Sequence, residues 1–179
     1  MKMHASAGAL LFALVATLVA PLSEAQVSEA VIKRVYDTAT PAMCLVSYSV
    51  EVTNPNSGER SRRNQQAVGI LVRADGLVLV HGHMEVANAV PFNIQVTVGA
   101  DGEGHRYDAT LLAKPDDVNI SLLRLEGAEG VQFPFLRFSR NVRLGIGEPV
   151  VVVGMLGESL EHQRSVITRR VGAILAEPR

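Results

Sequence analysis

The feature that most constrains the fold is a series of short apolar runs separated by turns. About eight such runs occur between residues 42 and 176, and only one segment has helical spacing. Short strands with turn residues about every 8–15 positions are typical of all-β sandwiches and barrels. The apolar content is aliphatic, because aromatic residues make up only 4% of the chain, and β-branched residues favour strands. The sequence predicts an all-β fold with a short N-terminal helix.

The clearest hairpin lies in the middle of the chain. Residues 67–73 and 77–81 are apolar runs joined by Ala74-Asp75-Gly76, and an Asp-Gly turn between two such runs indicates a β-hairpin. A second pair of predicted strands, residues 93–98 and 106–113, flanks a turn at residues 99–104. Further strands are predicted at residues 42–52, 120–125, 149–154 and 165–176.

The segments before and after the first predicted strand differ from it in pattern. Residues 27–38 have helical apolar spacing, with Ser28 placed to cap the helix and Pro41 placed to end it. Residues 54–66 are polar and contain Pro, Gly and several arginines. We expect this second segment to be a mobile surface loop whose arginines are solvated.

The N-terminus has the pattern of a secretory signal peptide. Lys2 precedes an apolar run at residues 7–20, and Ser23-Glu24-Ala25 resembles a cleavage site. The run is about 14 residues long, whereas a membrane-spanning helix needs roughly 20. We expect residues 1–25 to be removed, leaving residues 26–179 as one secreted or periplasmic domain.

Charge and cysteine content exclude several classes of protein. The formal net charge is −1, so the sequence predicts neither a nucleic-acid partner nor attachment to an acidic membrane surface. The single cysteine, Cys44, excludes an intrachain disulfide. Because Cys44 lies in the apolar run Met43-Cys44-Leu45-Val46, we expect a buried, unreactive thiol.

Two histidines stand close together in Val80-His81-Gly82-His83-Met84-Glu85. On a strand, His81 and His83 would lie on one face and could bind zinc if a third ligand were supplied. No other His, Cys, Asp or Glu group has ligand spacing beside them. A second interpretation makes His83 a general base, since it directly follows a predicted strand and is exposed at its end. In a third interpretation, His83 is a loop histidine without a chemical role. We expect no metal and no cofactor.

Four segments, in order, carry a resemblance to a known family. Residues 67–86 combine a glycine-containing strand, an Asp-Gly turn, an apolar strand and a histidine. The other three segments are Val118-Asn119-Ile120-Ser121-Leu122-Leu123-Arg124-Leu125, residues 144–154 (LGIGEPVVVVG) and residues 165–175 (SVITRRVGAIL). Together they resemble the trypsin-like serine peptidases, in particular the HtrA/Deg type. The resemblance covers about residues 27–176.

This resemblance implies an antiparallel β-barrel followed by part of a second barrel. It also implies a protein or peptide ligand, and His83 at the position of the catalytic base. The family's aspartate position is occupied by Asn119. An amide cannot stabilise the imidazolium as a carboxylate does, and the Asp-to-Asn change costs roughly 10⁴-fold in the well-studied triad. Asp116 and Asp117 are near in sequence but do not occupy the matching position.

The family's nucleophile lies in a G-N-S-G-G segment whose backbone N–H groups also stabilise the oxyanion. No such segment occurs in the 179 residues. The serines that follow His83 lack a glycine-rich setting, and Ser159 is expected in a surface loop; these serines are Ser121, Ser139, Ser159 and Ser165. The sequence therefore predicts a serine endopeptidase homologue that is inactive as this chain.

The alternative is a non-catalytic β-barrel module that binds or organises a protein or peptide partner. Such a module could add a peptide strand to an exposed edge of its sheet. The strands assigned to the second barrel, at residues 149–154 and 171–175, are apolar. Because they lack partners to close on, we expect exposed apolar side chains there.

Overall fold

The computed structural model describes residues 27–54, 57–84, 90–99, 104–115 and 118–174. The predicted signal peptide, Asp116 and Asp117 lie outside these residues. The described part begins with the helix α1 (Glu29–Ala39). Its eight strands are β1 (Met43–Thr53), β2 (Arg60–Arg73), β3 (Leu77–His81), β4 (Phe92–Val98), β5 (His105–Ala113), β6 (Ile120–Leu125), β7 (Pro149–Met155) and β8 (Arg164–Arg170).

The first six strands form a closed antiparallel β-barrel in the order β1-β2-β3-β6-β5-β4. The strands β7 and β8 form a separate two-stranded sheet. The prediction of an all-β fold with one short helix is confirmed. Closure leaves no open sheet edge along the paired part of the barrel, so its backbone groups are satisfied internally.

The barrel interior is filled by aliphatic side chains at alternate strand positions. Along β3 and β6 the buried residues alternate with partly exposed ones, as expected for strands with one face towards a core. The most completely buried side chains are Leu71, Met84, Leu123, Val46, Val78, Val80, Val96, Cys44 and Ser121. Each buried Leu or Val stabilises the fold by about 1.5–3 kcal/mol relative to an exposed one.

The predicted hairpin between β2 and β3 is confirmed. Gly76 has a φ of +84°, a conformation that glycine adopts without steric cost. The carboxylate of Asp75 accepts from Arg73 at 2.6 Å and from Arg124 on β6 at 2.9 Å. The hydrogen bond from Arg124 lowers the pKa of Asp75 below its ordinary value. The turn is therefore tied to the strand beside the hairpin.

The predicted N-terminal helix is also confirmed. The Oγ of Ser28 accepts a hydrogen bond from the Val31 N–H at 3.4 Å, as an N-cap does. Pro41 lies in a short 3₁₀ turn, Thr40–Ala42, that leads directly into β1. The helix lies against β7 and β8, so it links the barrel to the second sheet. No helix among the described residues has the length and apolar content required to cross a bilayer.

The prediction of a loop over residues 54–66 is wrong for its second half. The strand β2 begins at Arg60, and its polar residues pair with β1 from Thr53 to Ser47. Their side chains are exposed, so the segment shows no apolar alternation from which a strand could be predicted. Backbone hydrogen bonding to β1 holds it extended.

The second sheet has the exposed apolar side chains expected of it. Val152 on β7 and Ile167 on β8 are cross-strand partners, and each is 44% exposed. The strand predicted at residues 165–176 is shorter than expected, since β8 ends at Arg170. The sheet therefore presents apolar surface to solvent.

The barrel has little room at Gly69, which gives a test of its packing. A Cβ atom at this position would lie 2.8 Å from both Cys44 Sγ and Val78 Cγ1. We expect Gly69→Ala to lower the free energy of unfolding by about 1–3 kcal/mol through overpacking. Urea denaturation measures the change. Gly157→Ala is the matched control, because nothing lies within 4 Å of the added atom. Equal effects of the two substitutions would contradict this account of the core.

Candidate functional site

His83 lies at one end of the barrel, in the short 3₁₀ turn Gly82–Met84 that directly follows β3. The side chain of His83 is exposed, whereas Met84 is buried in the barrel core. The apolar Met84 side chain anchors the turn from inside, and the register of β3 fixes where the turn begins. The imidazole is thus exposed to solvent on an anchored turn.

The two histidines of the turn interact with each other. The backbone N–H of His83 donates to Nδ1 of His81 at 3.4 Å. Their rings make an edge-to-face contact, with centroids 4.3 Å apart and planes at 86°.

The geometry also bears on the alternative of a zinc site. Among the residues that the structure describes, no group of three or more His, Cys, Asp or Glu side chains is arranged to hold a metal ion. Glu85, the residue nearest to the pair in sequence that could add a carboxylate, lies outside the described residues. The pair as described offers two imidazoles, and zinc sites in proteins use three or four protein ligands.

Asn119 lies beside this turn. It immediately precedes β6, and the pairing of β3 with β6 ends at His81 and Ile120. One residue further on, the Gly82 N–H donates to the Asn119 carbonyl oxygen at 2.9 Å. A Cβ atom at Gly82 would lie 2.4 Å from Asn119 Oδ1. The fold thus brings Asn119 against the glycine between the two histidines.

This close approach was not apparent from the sequence. The glycine in His81-Gly82-His83 is the signal that could have indicated it, because only glycine lets another chain segment come so near. The site therefore has two imidazoles on a turn whose central glycine contacts Asn119. An imidazole in such a position can move a proton, but the amide of Asn119 cannot supply negative charge to stabilise an imidazolium.

The serines are dispersed. Ser121 is buried on β6, and Ser159 is exposed in the 3₁₀ turn Glu158–Leu160 between β7 and β8. Ser165 donates to the Gly154 carbonyl oxygen at 3.5 Å, and Ser139 is exposed. No hydroxyl of the described residues is hydrogen-bonded to His81 or His83. Within the part of the chain that the structure describes, the turn with His81 and His83 therefore has no serine hydroxyl bonded to it.

Cys44 is buried, as the sequence predicted. It lies inside the barrel on β1, and desolvation by burial raises the pKa of its thiol to about 12. The reactive form of cysteine is the thiolate. Cys44 is therefore excluded as an alternative nucleophile in the folded protein.

Comparisons with known proteins add no family to these observations. No protein-family model matches the chain, and no curated protein is similar to it at a significant level. What is shown is a closed six-stranded antiparallel β-barrel. The resemblance to trypsin-like peptidases stays a prediction from the chain's own residues.

The buried thiol gives a test of the barrel interior. We expect Ellman's reagent to leave native Cys44 unmodified at about pH 8, where an exposed thiol with a pKa near 8.5 reacts. In denaturing guanidinium chloride the same thiol should react completely. Because burial raises the pKa of the thiol, its contribution to the free energy of unfolding is present below about pH 8.5 and is lost as the pH rises towards 12. Rapid modification of the native protein would contradict the described barrel.

Proposed function

We propose that this chain is a homologue of the trypsin-like serine endopeptidases of the HtrA/Deg type. We further propose that the polypeptide of these 179 residues does not hydrolyse peptides. The observation that carries the first proposal is the 2.9 Å hydrogen bond between Gly82 and Asn119. It joins the residue before His83 to the position at which the family resemblance requires the triad aspartate.

The strand order supports the same proposal. His83 follows β3 and Asn119 precedes β6, and these strands are not consecutive in the chain. They become neighbours because the barrel closes in the order β1-β2-β3-β6-β5-β4. The two positions lie in separate segments of the sequence. Their contact in the fold is expected if the segments form one site, so it supports the proposal.

The chemistry explains why we propose inactivity. In an active relative, a serine hydroxyl attacks the peptide carbonyl and transfers its proton to the histidine, which then gives it to the leaving amine. Here His83 could accept the proton, but Asn119 offers no carboxylate for the resulting imidazolium. The residues present also lack a G-x-S-G-G segment, and with it the nucleophile and the oxyanion donors.

The partner and the compartment follow from the same proposal. We expect the ligand to be an extended protein or peptide. We expect no nucleic-acid partner, and no membrane attachment once the signal peptide is removed. The site of action is the periplasm or the extracellular space, because residues 1–25 have the pattern of a signal peptide. No cofactor and no metal is required by acyl transfer of this type.

Inactivity is tested by turnover. Purified protein should not cleave casein or fluorogenic peptides, and a fluorophosphonate probe should label no serine. Asn119→Asp should remain inactive, because a restored carboxylate still lacks a nucleophile to activate. Peptide turnover by the unmodified chain that disappears in His83→Ala would overturn the proposal of inactivity.

The proposed site geometry is tested separately. We expect an NMR cross-relaxation signal between the His83 ring protons and the Asn119 side-chain amide protons, since homology to the triad places these groups within hydrogen-bond reach. The exposed amide of Gln132 supplies a control that should give no signal with His83. Absence of the His83–Asn119 signal in well-folded protein would contradict the assignment of the triad positions.

A second function is favoured by a different observation. The exposed Val152 and Ile167 lie on a two-stranded sheet with no third strand among the described residues. A non-catalytic binding or scaffold module would use such surface to hold a protein or peptide partner.

The DNA downstream of codon 179 discriminates between the peptidase homologue and the binding module. An in-frame G-x-S-G-G coding segment favours a peptidase, and a stop codon favours the module.

A further inference from the structure

The outer face of β1 and β2 carries two neighbouring concave surfaces. One has a volume of about 290 Å³ and the other about 470 Å³, and Gln66 lines both. The two surfaces adjoin at Gln66 along the strand pair, and together we call them the outer groove. His83 and Asn119 line neither part.

One end of the outer groove is apolar. Leu45 on β1 and Val68 on β2 are cross-strand partners and form one wall. Met155 and Leu156, at the end of β7, form the opposite wall. Val68 is 38% exposed, so an apolar side chain placed in this cleft would remove accessible apolar surface from water.

The middle of the outer groove is a row of polar side chains in register. Ser47 pairs with Gln66 on one side and with Gln95 on the other, and Gln95 pairs with Asp108. The Gln95 amide nitrogen donates to the Asp108 carboxylate at 3.3 Å. The row runs across the strands. Glutamine side chains both donate and accept hydrogen bonds, so Gln66 can pair with an N–H or a C=O group of an extended peptide that crosses the row along β2.

The other end of the outer groove holds a positioned cation. The Arg62 guanidinium donates to Ser49 Oγ at 3.0 Å and lies 4.8 Å from the centre of the Phe92 ring. Ser49 is only 4% exposed, and its hydroxyl donates to the side-chain Oδ1 of Asn64 at 3.0 Å. The guanidinium is thus fixed by a buried hydroxyl and an aromatic face, which leaves further N–H groups available.

Arg62 lies opposite Glu51 on β1, but within the described residues the Glu51 carboxylate pairs with Arg60 instead, at 3.2 Å. Arg60, Arg73 and Arg124 each pair with a carboxylate. Arg62 makes no ion pair there, and its hydrogen bond goes to a neutral hydroxyl. A rigidly held guanidinium with free N–H groups is suited to bind a carboxylate, often through two parallel hydrogen bonds.

We propose that the outer groove docks an extended peptide segment of a partner protein, with an apolar side chain in the cleft at Val68 and a carboxylate at Arg62. The two positions are six residues apart on β2, which corresponds to about 20 Å in a strand. An extended ligand has the same rise per residue. Its apolar and acidic residues therefore stand about six positions apart. Its backbone crosses the polar row at Gln66 and passes the Ser49–Asn64 pair before it reaches Arg62. This docking does not depend on the proposed peptidase homology.

The probe for this proposal is a fluorescein-labelled peptide of ten residues, with leucine second, glutamate eighth, and serine or threonine elsewhere. Fluorescence anisotropy should show saturable binding to the full chain. Replacing the peptide's glutamate by glutamine should weaken binding about tenfold, the effect of one lost charge-assisted hydrogen bond. Replacing its leucine by serine should weaken binding to a similar degree.

Variants of the protein identify the groove. Arg62→Gln should weaken binding of the glutamate peptide about tenfold and should abolish its advantage over the glutamine peptide. Arg63→Gln is the matched control, because alternation along β2 places Arg63 on the opposite face. Val68→Ser should weaken binding severalfold, whereas Val142→Ser, an exposed valine outside the groove, should not.

A second measurement covers the case in which Arg62→Gln does not fold. On the unmodified protein, the peptide should slow amide hydrogen exchange in residues 45–49 and 62–68. Absence of saturable binding below about 1 mM, equal losses for Arg62→Gln and Arg63→Gln, or protection confined to other segments would each overturn the docking proposal. His83→Ala should leave peptide binding unchanged, so failure of this proposal and failure of the peptidase homology can be told apart.

Discussion

The pairing of β3 with β6 is the constraint on which the rest of the structure depends. These strands are separated in the chain by β4 and β5, and their antiparallel ladder, with that between β1 and β4, closes the barrel. Without closure each three-stranded half would expose two open edges and an apolar face. The ladder ends at His81 and Ile120, so it also determines which residues meet beyond it. The contact between Gly82 and Asn119 is its direct continuation.

Close backbone approach recurs where the barrel is most constrained. At Gly69 the missing side chain makes room for Cys44 and Val78 inside the barrel, and at Gly82 it makes room for Asn119 at the barrel end. The most completely buried side chains of the core are mainly aliphatic. The same packing removes Cys44 from solvent and raises the pKa of its thiol. Dense packing of the barrel interior therefore explains both the lack of space for a side chain at Gly69 and the low reactivity expected of Cys44.

The barrel offers two separate surfaces for function. At one end of the barrel, the turn that carries His83 contacts Asn119 through Gly82. The outer groove combines an apolar cleft, a polar row and the fixed guanidinium of Arg62, and suits recognition of a peptide. Because β7 contributes Met155 to the cleft, the second sheet shapes the groove as well as the exposed apolar surface of the molecule.

The sequence by itself determined the positions of most strands, the Asp75-Gly76 turn, the N-terminal helix and the burial of Cys44. These features depend on local apolar alternation, turn chemistry and capping, which act over a few residues. The strand at residues 60–66 could not be predicted from local pattern, because its side chains are polar on both faces. Backbone pairing with β1 holds it extended. Tertiary structure alone decided that Asn119 lies against Gly82 and that Gln66, Ser47, Gln95 and Asp108 form one row. Both arrangements depend on which strands pair and in which register, and hydrogen bonds between distant segments fix that choice only when the barrel closes.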